Sequence, residues 1–85
     1  MRILSDDECR TRLRELEAQG GMSNTALAMI VLGRDPRTVR RWMAGETIPE
    51  SARRWISSVK RVERDDSNRV HIVTYANPEQ FHKAR

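Results

Sequence analysis

Cysteine is nearly absent from this sequence, and its single copy, Cys9, excludes an intrachain disulfide or a cysteine-based zinc cluster within one chain. Cys9 reads as a small core hydrophobe on the first helix. Aromatic residues are scarce as well, at 5%, which argues against an aromatic-rich β-sandwich and for a mostly α fold. No stretch approaches the roughly 18 apolar residues of a membrane span. The first residues, Met1 to Asp7, lack the apolar segment of a signal peptide, so a cytoplasmic protein without a membrane partner is expected. The two histidines, His71 and His82, have no ligand-like spacing with each other or with Cys9, so neither a metal nor another cofactor is expected. Asp65 and Asp66 sit in a turn-like cluster without a partner base, and no catalytic residue or enzymatic activity is expected. An 85-residue chain buries too little surface for two independent cores and leaves no room for a separate ligand-sensing domain. No small-molecule ligand is expected.

What is present is positive charge, unevenly placed. Residues 1–33 carry four arginines against five carboxylates, residues 34–64 nine basic side chains against four acidic ones, and residues 65–85 three against three. The whole excess of +4 therefore comes from the middle third, where a phosphate-binding surface would show itself.

Helix signals punctuate the chain. Ser5-Asp6-Asp7-Glu8 reads as a capping box, Cys9, Leu13 and Leu16 follow on one face, and Gly20-Gly21 ends a first helix over roughly 6–19. Ser23 caps a second, short and largely buried helix along Ala26–Leu32, which Gly33 terminates; the cap and the Ala, Leu and Met content favour helix over a buried strand. Asp35-Pro36 opens a third helix that runs to about Ala44, and Gly45 closes it. Ile48-Pro49-Glu50 starts a fourth, on which Ile48, Ala52, Trp55, Ile56, Val59 and Val62 recur at helical spacing and close the core. Beyond the polar cluster Asp65–Asn68, Val70–Tyr75 reads as one strand, and Asn77-Pro78-Glu79 as the start of a last short helix containing Phe81. The expected fold is a mostly α, four-helix helix-turn-helix domain over 1–64, with a short carboxy-terminal β-strand and tail over 65–85.

The functional signal lies in Gly33–Gly45. On the third helix Val39, Trp42 and Met43 share a face, which leaves Arg37, Arg40 and Arg41 on the exposed arc. A guanidinium matches guanine O6 and N7, or two phosphate oxygens, with paired hydrogen bonds, and the capped helix start adds free amides for a phosphate. At these residues the chain resembles the Cro/repressor-like (XRE-type) helix-turn-helix regulators of phage and mobile elements. The resemblance covers roughly residues 22–60, with Gly33 as turn glycine, Val39 as the buried β-branched residue, Trp42 after it, and Gly45 before Ile48-Pro49. The chain departs from the family pattern in holding Met29 four places before the turn glycine, with the small Ala28 one place earlier, and Arg34 after it.

That resemblance implies a double-stranded DNA-binding transcriptional repressor, autoregulatory and acting on an inverted-repeat operator. It implies base contacts by Arg37, Arg40 and Arg41 and backbone contacts by Ser23, Asn24 and Thr25; Arg34, Thr38 and Arg53 are further candidates for phosphate. A homodimer is expected through Val70, Ile72, Val73 and Tyr75, because a lone strand leaves backbone groups unpaired along both edges. Folding back on residues 59–64 as a hairpin is the alternative. A protein-interaction module of the antitoxin or phage-inhibitor kind, using the tail 65–85, is the competing function.

Overall fold

The structure, a computed structural model, describes residues 2–75. Helix α1 (Asp6–Gly20) begins at a capping box: the Glu8 amide donates to Ser5 Oγ at 3.2 Å and the Ser5 amide to Glu8 Oε1 at 2.9 Å. Cys9, Leu13 and Leu16 are fully buried along its inner face. The helix ends where Gly21 turns left-handed and the Met22 amide reaches back to the Glu17 carbonyl at 3.0 Å.

Ser23 caps helix α2 (Asn24–Ala26) by accepting from the Ala26 amide at 3.2 Å. The chain then continues without a break as a π-helical segment (Leu27–Leu32), in which hydrogen bonds span one residue more than in an α-helix. Seven consecutive apolar residues span about two turns and cannot all face inward. Leu27, Ala28 and Val31 are buried, whereas Met29 and Ile30 are 63% and 51% exposed, and the expectation of a largely buried second helix fails at those two positions. Gly33, at φ 62°, supplies the left-handed turn that ends the segment, and the Ala28 carbonyl accepts from both the Gly33 and Arg34 amides.

Helix α3 (Pro36–Met43) starts at Asp35, whose carboxylate accepts from the Arg37 amide at 2.8 Å, with Pro36 in the first turn. Val39 and Trp42 are buried and Met43 packs against the core edge. Beyond Ala44, Gly45 donates to the Trp42 carbonyl and Glu46 to the Arg41 carbonyl, which closes the helix with a Schellman motif.

Helix α4 (Glu50–Ser58) is shorter than the apolar spacing implies. Ser57 Oγ donates to the Arg53 carbonyl and Ser58 Oγ to the Trp55 carbonyl, both at 2.6 Å, and such back-bonding weakens a helix end. Val59 and Val62, expected on the helix, belong instead to strand β1 (Val59–Arg64). Three-residue spacing would place them on opposite faces of a regular strand, but the register shifts between Val59 and Arg61. This bulge at Lys60 returns both valines to the core, at 0% and 4% exposure.

Strand β2 (Val70–Thr74) pairs antiparallel with β1, from Arg64 opposite Val70 to Val59 opposite Thr74. Asp65 organises the connection: its carboxylate accepts from the Ser67 amide at 2.8 Å, the Arg69 amide at 2.9 Å and His71 Nε2 at 2.7 Å. The His71 contact, followed by these amides, holds the Asp65 carboxyl below its ordinary range. The strand is therefore half of an intrachain hairpin rather than a lone strand, and Val70 and Ile72 rest on the core from its outer side. Met1 and residues 76–85 lie outside the described residues, and with them the expected last helix, Phe81 and His82. No helix among the described residues is long and apolar enough to cross a membrane.

Candidate nucleic-acid interface

Most arginines of this chain are occupied. Arg2 pairs with Glu8, Arg54 with Glu50 and Arg61 with Glu63. Arg12 donates to the Val59 carbonyl at 2.7 Å and Arg64 to the Gly20 carbonyl at 2.6 Å. Arg10 and Arg53 are likewise tied to backbone carbonyls. Among the described residues, the arginines whose guanidinium has no hydrogen bond, ion pair or aromatic stack are Arg14, Arg37, Arg40, Arg41 and Arg69. Three of these five stand on the eight residues of α3, and all three are exposed. The buried side of the same helix is fixed by Val39 and Trp42, at 0% and 3% exposure, so the arginines are held outward by the core.

The other sequence candidates divide. Thr25 is exposed at the start of α2, and Thr38 is half-buried on α3. Ser23 is engaged as the cap of α2, and Asn24 beside it is half-buried, with its Oδ1 enclosed and without a partner among the described residues. Arg34 lies 5.8 Å over the Trp42 ring and donates to Ser51 Oγ at 3.2 Å. Arg53 is not a free phosphate ligand: it donates to the carbonyls of Ile48 at 3.2 Å and Leu4 at 3.3 Å and faces Asp6 at 3.4 Å. It ties the amino-terminal segment to α4. Of the expected dimer residues, Val70 and Ile72 already pack on the core, Val73 is half-buried, and Tyr75 is exposed with the Lys60 ammonium 6.0 Å from its ring.

Comparison with family models, curated proteins and solved structures returns no match. The reading of the surface therefore rests on its own chemistry. Arg34, Trp42 and Trp55 line, with Leu32 and Ala52, a cavity of ≈ 50 Å³, well below the about 300–1,000 Å³ of a ligand pocket. Among the described residues no group of three or more His, Cys, Asp or Glu side chains could hold a metal ion.

Two residues that matter here gave no local sequence signal. Arg10, on α1, reaches the carboxy-terminal end of α3, a hydrogen bond made across 32 residues of chain. Trp55 was expected inside the core but is 39% exposed, and its Nε1 donates to the Val31 carbonyl at 2.8 Å, one of the carbonyls left open at the end of the π-helical segment. Trp55→Phe keeps an aromatic ring and removes this bond. We predict a loss of about 1 kcal/mol, or roughly 4–8 °C in melting temperature for a domain of this size. An unchanged thermal transition would show that the bond contributes nothing.

Proposed function

We propose that this chain is a sequence-specific double-stranded DNA-binding protein, acting as a transcriptional repressor, in which the second helix and α3 form a helix-turn-helix and α3 enters the major groove. The observation that carries this reading is the set of arginines without partners among the described residues, Arg37, Arg40 and Arg41, projecting from one short capped helix. A structural role would pair them as eight of the other ten arginines among the described residues are paired, whereas a surface for guanine edges and phosphates needs them free. The π-helical segment supports the same reading. Its extra residue accounts for the buried small residue standing five places before the turn glycine, at Ala28, instead of four. Thr25, Thr38 and the start of α2 supply backbone contacts, and Arg34 reaches phosphate by leaving Trp42.

A homodimer completes the proposal. The outer edge of β1 is covered from α1, where Arg12 donates to the Val59 carbonyl and the Val62 amide donates to Gln19 Oε1. The outer edge of β2 has no partner among the described residues and carries neither proline nor lysine to blunt it. Antiparallel pairing of two β2 edges gives a four-stranded intersubunit sheet and a two-fold axis, for which half-sites about 34–36 Å apart are expected.

Selection from a random duplex library, followed by titration of the selected and a scrambled duplex, tests the function. The expected result is a selected inverted repeat bound at least about 10³-fold more tightly than scrambled DNA at physiological salt. Exposed Met29 and Ile30 favour a second reading, a module that binds a protein partner. Weak, salt-sensitive and sequence-independent retention of every duplex is the outcome that reading requires.

A further inference from the structure

The side chain of the α1 arginine, Arg10, is only 12% exposed. Its Nε donates to the Trp42 carbonyl at 2.6 Å, one terminal nitrogen to the Glu46 carbonyl at 2.8 Å, and the other to Asp7 Oδ1 at 2.6 Å. The first two acceptors belong to the last turn of α3 and to the loop that follows it. This end of a helix is where carbonyls lack intrahelical partners and where a positive charge is favoured by the helix dipole. The Schellman motif already uses the Trp42 carbonyl once, through the Gly45 amide, and Arg10 takes its second lone pair.

We propose that Arg10 is a positioning residue for the DNA-reading surface: it fixes the carboxy-terminal end of α3 against α1 and so sets the angle at which Arg37, Arg40 and Arg41 are presented. This inference rests on the DNA-binding reading above. The amino-terminal end of α3 is held by the Gly33 turn and the Asp35 cap, and its inner face by Val39 and Trp42. Those constraints reach no further along the chain than Trp42, and the planar fork of Arg10 adds a hold from α1 on the Trp42 and Glu46 carbonyls at once. Lysine has one nitrogen and cannot span all three acceptors. Bidentate base contacts tolerate displacements of only about 0.5 Å and 10–20°, so loss of the fork acts on discrimination before it acts on attraction.

The test uses the full chain, as Arg10→Lys and Arg10→Met, with melting curves and affinities for the library-selected and scrambled duplexes measured well below each melting temperature. The informative quantity is the ratio of the two affinities, because an unfolded fraction lowers both and cancels. A fall in that ratio of about tenfold for Arg10→Lys, and more for Arg10→Met, with scrambled-DNA affinity within about twofold of the parent, is expected. If Arg10→Met does not fold, Arg10→Lys alone carries the comparison. A ratio unchanged within twofold in a folded variant overturns the inference, as does a parallel loss on both duplexes, which would make Arg10 structural or a phosphate ligand. A parent chain that does not discriminate between the duplexes refutes the DNA-binding reading itself, and this is seen before any variant is made.

Discussion

Val39→Asp is expected to abolish the cooperative folding transition. The Val39 side chain has no exposure at all and lies in the same buried cluster as Leu27, Ala28, Val31, Trp42 and Ile48. A carboxylate there would be enclosed by that apolar cluster. Burial of an unpaired charge belongs to the small class of substitutions that cost roughly 4–5 kcal/mol or more. A domain of this length has about 4–13 kcal/mol in total. Val39→Ala removes two methyl groups and is expected to cost about 2 kcal/mol, leaving a folded protein with a lowered melting temperature. Circular dichroism and thermal denaturation of the two variants measure both effects. A Val39→Asp protein with native helicity and a cooperative melt would show that α3 is rotated from the orientation described, and the outward placement of Arg37, Arg40 and Arg41 would fall with it.

The helix starts were legible in the sequence because their causes are local. Ser5 with Glu8, Ser23, and Asp35 with Pro36 satisfy amides within four residues of themselves, and each is a cap in the structure. The end of α4 was not legible, because Val59 and Val62 keep helical spacing while the bulge at Lys60 lets a strand bury both. That one ambiguity favoured a lone strand at Val70–Thr74 over the alternative of a hairpin with residues 59–64, which is the arrangement found. The arc of α3 was readable from Val39 and Trp42, yet nothing near Arg53 in sequence indicates that it is bonded to Leu4, 49 residues away. The partners of Arg10 and Trp55 are equally distant along the chain, and no local pattern announces them. Periodicity reports which face is apolar, and caps report local polar partners, whereas a polar partner distant along the chain is settled by tertiary approach.

Simultaneous replacement of Arg37, Arg40 and Arg41 by alanine is expected to remove specific DNA binding while leaving the fold intact. The three side chains are exposed and their guanidinium groups form no hydrogen bond or ion pair among the described residues. Alanine is the strongest helix former, so stability should change by well under about 1 kcal/mol. Each bidentate guanine contact is worth about 1–3 kcal/mol of discrimination. If two of the three arginines read bases, the cost is about 2–6 kcal/mol, or roughly 30-fold to 10⁴-fold in affinity for the selected site. Scrambled DNA should also be bound less well, because the net charge falls from +4 to +1 and each arginine that neutralised a phosphate takes about one unit of salt-dependence slope with it. The single variants then assign the roles: a base-reading arginine loses preference at one base pair, and a phosphate-binding arginine loses affinity uniformly. Binding titrations at two salt concentrations, with melting curves alongside, give all of these quantities. Should the triple variant hold the selected site with parental affinity, the interface lies elsewhere, and Arg14 and Arg69, the other arginines without partners among the described residues, become the places to look.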